Sequence, residues 1–376
     1  MKSLTINWHD LKDKQYLYLK SDVLQDLVNK GIKKAGTLQK LCKKMNTTSF
    51  YQKLRINGGI TIHKLKELLD YIEIEYPFVN GKIQEIRMGD LTSINNPKFP
   101  IRLSYFKIGS ILGHLVSDGC LYYDNSRKDY IRTSYYSPDK ESIDQFIKNI
   151  NSIFGKVHFN KEKLRNCFKI RTGCDIVGKS LKKSGGIVGK KYIENKRSPW
   201  LVRQGSYKCK KEYLSAVFDD EASVGKSPFP YIILQRSIHI KLDKNERMII
   251  NRYVKPQMKT NKFPTGHVNK TIAIRKLNLI LKKQSKVLLD RINSHKPKLL
   301  KDESCLLKKD FDIDNFLYII GFSITQNKRY SISCCLVIRR KKDVIKFYKN
   351  IKFSLKRKQE SLKNALLYSK WLKNGI

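Results

Sequence analysis

I-L-G-H-L-V-S-D-G at 111–119 and L-S-A-V-F-D-D-E-A at 214–222 are two copies of one nine-residue pattern. Each is an apolar helical stretch that carries small residues and ends on a carboxylate, Asp118 or Glu221. Ile108, Ile111, Leu112, Leu115 and Val116 recur at helical spacing up to Asp118. The spacing of the two acids suits two similar half-domains meeting at one site. Hard carboxylate oxygens at helix C-termini favour Mg²⁺ or Mn²⁺, with water completing the shell. Such ions activate a water and stabilise the leaving oxygen of a phosphodiester, so no covalent nucleophile is required.

The charge balance points the same way. The chain has 376 residues with 77 Lys and Arg against 33 Asp and Glu, a net charge of +44. Its 40% apolar content is enough to fold, and its length suggests two or three compact units. An excess of Lys without matching Glu leaves self-repulsion that a polyanion relieves, so nucleic acid is the expected partner. A membrane is not: no apolar run approaches the roughly 20 residues that span a bilayer. The opening M-K-S-L-T-I-N-W-H-D lacks the apolar core of a signal peptide, and a cytoplasmic, DNA-associated protein is expected. The eight cysteines (42, 120, 167, 174, 209, 305, 334, 335) form no C-x-x-C pair and read as reduced buried thiols.

Along the chain, residues 1–90 read as mostly helical. Leu38, Leu41 and Met45 define one short helix, and Thr47 or Thr48 can cap a second that buries Phe50 and Leu54. That second helix turns Gln52, Lys53 and Arg55 outward, and a third is expected at about 61–72. The arrangement resembles a repressor-like helix-turn-helix, whose second helix enters the major groove. Residues 91–104, with two prolines and little periodicity, read as a linker. Strands are expected near 130–136, 156–160, 166–172, 231–242 (strand or hairpin), 270–276 and 329–339. Helices are expected from Pro138 to Phe154 and near 173–183, 209–221, 243–253, 278–292, 341–350 and 356–373, with 295–304 a loop. The expected domains are 1–95, 96–205 and 206–376, the last with an insertion.

The two nonapeptides resemble the LAGLIDADG motifs of homing endonucleases, present twice as in single-chain members of archaeal and intein type. The resemblance covers roughly 95–376, and an N-terminal helix-turn-helix is a common addition in archaeal relatives. It implies an α+β fold of two pseudo-symmetric αββαββα half-domains forming a DNA-binding saddle. The motif helices would pack on each other through Gly113, Ser117 and Ala216, with Asp118 and Glu221 holding Mg²⁺ or Mn²⁺. G-G-I-V-G-K-K at 185–191 and F-Y-K-N-I-K-F-S-L-K-R-K-Q-E-S-L at 347–362 resemble two further family segments. These place a phosphate-side lysine of each half at Lys191 and Lys358. Candidate base readers on the strand faces are Arg132, Lys169, Arg171, Gln235, His239, Lys241 and Arg275.

The activity implied is site-specific, divalent-metal-dependent double-strand cleavage of DNA, of the kind used in intron homing. A monomer reading a long asymmetric duplex site is expected, and both acids are retained. The alternative is a catalytically weak binder: a splicing maturase acting on intron RNA, or a transcription regulator. The second motif feeds that alternative, with Asp220 where a small residue is usual and Ala222 where Gly is usual. If the turn there needs positive φ, Ala costs about 1–2 kcal/mol. His114, at a normally aliphatic position, is expected in the core or the helix interface. No P-loop is present, so ATP-driven work is not supported.

Overall fold

The computed structural model describes residues 4–47, 59–87, 93–127, 129–191, 193, 195–225, 228–262, 268–325 and 327–369. Two compact units divide the chain, Met1–Gly186 and Ile187–Ile376. All strand pairs in both are antiparallel.

In the first unit, the N-terminal segment is mixed rather than mostly helical. Its elements are β1 (Thr5–Ile6), β2 (Tyr16–Leu19), α1 (Ser21–Ala35), α2 (Leu38–Lys44), β3 (Ile60–Thr61), α3 (Ile62–Tyr71) and β4 (Ile83–Arg87). Helices α2 and α3 fall where the apolar spacing puts them, and Thr37 and Thr61 cap their first turns. The expected recognition helix with Gln52, Lys53 and Arg55 lies outside the described residues.

The expected linker is part of the folded structure. It contributes β5 (Ser93–Asn95), which pairs with β4, and β6 (Ile101–Arg102), which pairs with β1. Two strands this short, set among prolines, leave too few residues for alternation to register.

The remainder of this unit runs α4 (Lys107–Val116), β7 (Gly119–Tyr123), β8 (Ile131–Ser137) and α5 (Lys140–Phe154). Then come β9 (Lys156–Val157), β10 (Asn160–Lys163), β11 (Phe168–Thr172) and α6 (Asp175–Lys183). Strand β9 joins the N-terminal sheet, whose order is β3-β2-β4-β5-β9. Without it the order is αββαββα, with a sheet β10-β11-β8-β7. One sheet face carries Leu121, Ile131, Tyr135 and Ile170, all buried. Each such side chain contributes about 1.5–3 kcal/mol by leaving water. Gly178 lets α6 lie on β8, since a Cβ there would stand 2.1 Å from the Ile131 carbonyl oxygen.

The second unit begins with α7 (Trp200–Gln204), α8 (Tyr207–Glu221), β12 (Ala222–Gly225), β13 (Tyr231–Ile240) and α9 (Lys244–Ile249). An inserted block follows: β14 (Lys259–Lys262), β15 (Val268–Ala273), α10 (Ile274–Gln284), α11 (Lys286–Ser294) and α12 (Lys298–Phe311). The chain closes with β16 (Phe316–Ile324), β17 (Tyr330–Ile338), α13 (Lys341–Lys346) and α14 (Lys356–Leu367). The sheet order is β12-β13-β17-β16-β15-β14. Its first four positions repeat the β7-β8-β11-β10 order, and the β14–β15 hairpin extends the edge.

Three expectations need correction in this unit. The helix expected at 278–292 is two helices, because Ser285 leaves helical geometry and its hydroxyl caps Leu288 N–H. Arg275 sits in the first turn of α10, not on a strand, because β15 ends at Ala273. The loop expected at 295–304 is largely α12, which starts after Pro297 and buries Leu299, Leu300, Leu306, Leu307 and Phe311. Strand β16 escapes a reading by alternation because F-L-Y-I-I-G-F is a continuous apolar run, and a bulge between Ile319 and Gly321 shifts its register. Of strand or hairpin, the two forms expected for 231–242, the strand is the one present.

Candidate active site

Helix α4 is apolar nearly all round, and Ile108 through Val116 are buried without interruption. Gly113 lies within that run, Ser117 follows it buried, and Asp118 emerges to solvent. Gly119 then starts β7 within close reach of the helix: a Cβ there would meet Leu115 Cα at 2.9 Å. The requirement is steric room, and the second copy does without it. Ala222 leaves α8 in extended geometry, φ −90° and ψ 154°, so the penalty for positive φ does not arise. His114 packs in the core, its ring 4.8 Å from Tyr135 and 5.9 Å from Phe146.

A carboxylate at a helix C-terminus opposes the helix dipole by about 0.3–1 kcal/mol, a cost that a nearby cation offsets. At the end of α8 the protein supplies its own cations. Glu221 is only 15% exposed, and its Oε2 lies 3.2 Å from Nε of Arg236, itself 5% exposed. Arg236 also donates at 2.9 Å to Glu303 of α12, which is fully buried and accepts from the Tyr213 hydroxyl at 3.1 Å. Burial pushes the Glu303 carboxyl up against the pull of Arg236, and burial likewise holds the Tyr213 phenol well above its ordinary value.

Lys358 is the second built-in cation. Its ammonium donates to the carbonyls of Phe218 (3.2 Å), Asp219 (2.5 Å) and Ala222 (2.5 Å). The Asp219 carbonyl is one that a helix end leaves without an intrahelical donor, the Phe218 carbonyl also accepts the Ala222 N–H, and Ala222 begins β12. Asp219 answers from the other side, accepting the N–H groups of Ser354 and Leu355 at the start of α14. Ser215 Oγ donates to the Lys352 carbonyl at 2.9 Å. The F-S-L-K-R-K segment is therefore a clasp on α8, and Ala216 of that helix is buried. Asp220 is half-buried.

Lys191 belongs to the second unit, not to the half that contains Asp118. It is buried and shares a small cleft of about 20 Å³ with Asn195, Lys196, Arg236 and Ser237, room for about one water. This segment is tied to α12, where Asn195 accepts Lys298 N–H at 2.7 Å and Arg197 donates to Asp302 at 2.7 Å. Glu221 and Lys191 thus both converge on Arg236, a residue that sequence reasoning did not single out. Its signal was available: Arg236 occupies the buried parity of β13, between Leu234 and Ile238.

The open strand faces are unlike one another. In the first unit, Tyr122, Arg132, Ser134, Tyr136, Lys169 and Arg171 share a face by register. Arg132 is ion-paired with Asp124, and Lys169 donates to Glu162 at 2.9 Å, whereas Arg171 is exposed. In the second unit, Gln235, Ser237 and His239 line up opposite Cys335, Ser333 and Ser331. Ser237 and Ser333 are 3.0 Å apart, and His239 Nδ1 is 2.8 Å from Ser331 Oγ. This face is neutral and hydroxyl-rich instead of basic as expected. It offers donors and acceptors suited to base edges rather than to phosphates. Lys241 lies just past β13, exposed, and its carbonyl accepts from Arg291.

Among the described residues no group of three or more His, Cys, Asp or Glu forms a ready metal cage. Asp118 suits a hard cation that keeps most of its water, as Mg²⁺ does. Glu221 does not: its carboxylate already faces a buried guanidinium. Four of the eight thiols are buried, and burial pushes Cys174 and Cys334 up to about 12, as inert core cysteines require. No helix among the described residues is long and apolar enough to cross a membrane.

No protein-family model and no curated protein matches the chain. Solved structures do show similarity. Mesophilic variants of the homing endonuclease I-DmoI align at 9% identity and TM-score 0.34, covering 69% of this chain and 98% of theirs. I-DmoI in complex with DNA and Ca aligns at 11% identity and TM-score 0.34, over 69% and 98%. Full-length DUF199/WhiA from Thermatoga maritima aligns at 11% identity and TM-score 0.34, over 70% of this chain and 60% of that one.

Proposed function

We propose that this chain binds double-stranded DNA through the open faces of its four-stranded β10-β11-β8-β7 sheet and its six-stranded sheet and hydrolyses a phosphodiester beside Asp118, as a LAGLIDADG-type site-specific endonuclease. The observation that carries this reading is the repeated unit: an acid-ended helix followed by strands of the same antiparallel order, once in each compact unit. The net charge of +44 supplies the counterion-release term that drives binding to a polyanion. Arg171 serves the phosphates, and the row of Gln235, Ser237 and His239 reads base edges.

Asp118 would hold a Mg²⁺ or Mn²⁺ ion, which when bound lowers the pKa of a water and offsets phosphate charge. In the hydrolysis, the water oxygen bonds to phosphorus, one P–O ester bond breaks, and the departing oxygen takes a proton. Lys358 serves this reading as a positioning residue that holds the end of α8. A helix-turn-helix built on α2 and the residues that follow it would add DNA contacts through Gln52, Lys53 and Arg55.

The test is cleavage of a randomised-site plasmid library with Mg²⁺ or Mn²⁺, native protein against Asp118→Asn. Discrete breaks made by the native protein alone support the reading. Equal, tight binding by both proteins with no breaks refutes it. That result would support a second reading, a DNA or RNA binder without cleavage, which the pairing of Glu221 with Arg236 favours.

A further inference from the structure

The open face of the six-stranded sheet is not polar from end to end. Tyr318 of β16 stands opposite Cys335, which in turn stands opposite Gln235, so the tyrosine shares a row and a face with a candidate base reader. Neighbouring strands lie about 4.8 Å apart, which sets Tyr318 about 10 Å from Gln235. Phe316 is next on the same face, opposite Val337. The two rings are nearly parallel, with centroids 6.2 Å apart and planes 16° from each other. Arg339, at the exit of β17, lays its guanidinium 4.5 Å from the Phe316 centroid and 5.9 Å from that of Tyr318. Arg340 beside it is ion-paired with Asp314 at 2.9 Å, whereas Arg339 has no acidic partner among the described residues. Core packing does not explain this group, because Tyr318 is 38% exposed and Ile320, at the bulge, is 37% exposed.

A fully stacked duplex has no use for such a surface. Its base faces are hidden, and its grooves present only base edges, sugars and phosphates. Aromatic faces and guanidinium planes are what an unpaired base covers, since every base has a π-face. We propose that Phe316, Tyr318 and Arg339 form a stacking platform for one unpaired base of the DNA that this sheet binds. This rests on the DNA-binding reading above and deepens it: the preferred partner is a duplex with one base out of the stack. Arg339 adds charge complementarity to its stacking plane, because a phosphate flanking that base meets a guanidinium with no competing carboxylate. The partner is DNA, because strands enter the wide major groove of a B-form duplex, whereas the A-form groove is too deep and narrow for side chains to read.

The experiment is fluorescence anisotropy of the full chain with labelled DNA duplexes of one mixed sequence: fully paired, with a single bulged adenine, and with an abasic bulge. Salt is raised until phosphate contacts no longer dominate the affinity. A base–aromatic stack changes affinity by roughly 5-fold to 150-fold. Native protein is expected to prefer the adenine bulge over the paired duplex by a factor in that range, and the abasic bulge, which controls for bending, is expected to show no such gain. Tyr318→Ser should abolish the gain, Tyr318→Phe should keep most of it, and Arg339→Gln should reduce it. With 2-aminopurine as the bulged base, its fluorescence should fall more on native protein than on Tyr318→Ser, which reports stacking directly. Equal affinity for paired and bulged duplexes overturns the proposal and leaves the DNA-binding reading intact, as does a gain that survives Tyr318→Ser. An equal gain on the matching RNA duplexes overturns the assignment to DNA. No binding of any duplex overturns the DNA-binding reading and this proposal together.

Discussion

Replacing Lys358 by Met separates two roles for this lysine. Met keeps most of the aliphatic stem and removes the ammonium, so packing changes little while three carbonyls lose their donor. A hydrogen bond with a charged partner contributes about 1.5–3 kcal/mol. Two of the three contacts here are short and one is long. A cation at a partly buried helix C-terminus contributes up to about 2 kcal/mol. Ordering a lysine side chain costs about 1.5–2 kcal/mol, which offsets part of that gain. The net loss expected for Lys358→Met is therefore about 2–3 kcal/mol. In a unit of this size, that lowers the melting temperature by roughly 4–12 °C. The assay is calorimetry of the full chain, with urea unfolding to check that the m-value is unchanged. Lys358→Arg, which keeps the charge and can still reach the carbonyls, is expected to recover most of the loss. Asp219→Asn weakens the reciprocal half of the clasp, so its effect should add to that of Lys358→Met by less than the sum. A Met variant that melts with the native protein but no longer cleaves DNA would refute the clasp and return Lys358 to the phosphates.

Three further outcomes follow from the same geometry. Arg236→Met alone leaves Glu303 buried and uncompensated, with an expected cost of about 3–5 kcal/mol. Adding Glu303→Gln should recover much of it, and additive losses in urea unfolding would count against a coupled cluster. Asp124 is held down at about 2 by the Ser126 hydroxyl and N–H together with the Arg132 guanidinium. Its folded value lies below the unfolded value near 4, so its stabilisation is present above pH ~4 and is lost as pH falls through about 2. Asp124→Asn should flatten the native protein's stability slope in that window, and an unchanged slope in urea midpoints would show that other carboxylates set it. Arg171→Ala should reduce the slope of log affinity for duplex DNA against log salt by about 1. Arg132→Ala should reduce it less, because Asp124 already neutralises that guanidinium. Equal changes in the two slopes would mean that the Arg132–Asp124 pair opens on DNA.

What could be read from the sequence divides along physical lines. Helices α2, α3, α4, α5, α6 and α8 carry clean apolar spacing, and each was legible from local pattern. So were β8 and β13, where polar and apolar residues alternate. The losses came where a feature is decided by something distant. Strands β5 and β6 exist because partners lie opposite them, not because of their own few residues. Helix α12 begins in a lysine- and proline-rich tract, and its order rests on Leu299, Leu300, Leu306, Leu307 and Phe311, which find their partners elsewhere in the unit. Arg275 moved from strand to helix because β15 ends at Ala273, three residues before the expected end at 276. The candidate site shows the same division. Asp118 and Glu221 were legible as helix-terminal acids, but the partner of Glu221 comes from β13 and the partner of that partner from α12, contacts that no local window contains.

The two departures in the second motif make physical sense together. A glycine after the acid gives β7 room beside the preceding helix, where a Cβ at 119 would stand 2.9 Å from Leu115 Cα, whereas Ala222 leaves α8 extended and sends the chain into β12. That path brings β13 to run antiparallel to β12 and puts the buried parity of β13 beneath the end of α8. The residue at that parity nearest Glu221 is Arg236, in a position where an aliphatic side chain would satisfy the core and leave the acid to solvent. An arginine buried there needs a second carboxylate, and Glu303 supplies it from a helix of the inserted block. The insertion and the altered motif are therefore parts of one electrostatic arrangement. Its consequence is specific: replacements that restore Gly at 222 should leave Glu221 paired, while replacement of Arg236 should release it. A Mn²⁺ count that rises with Ala222→Gly alone would sink this account.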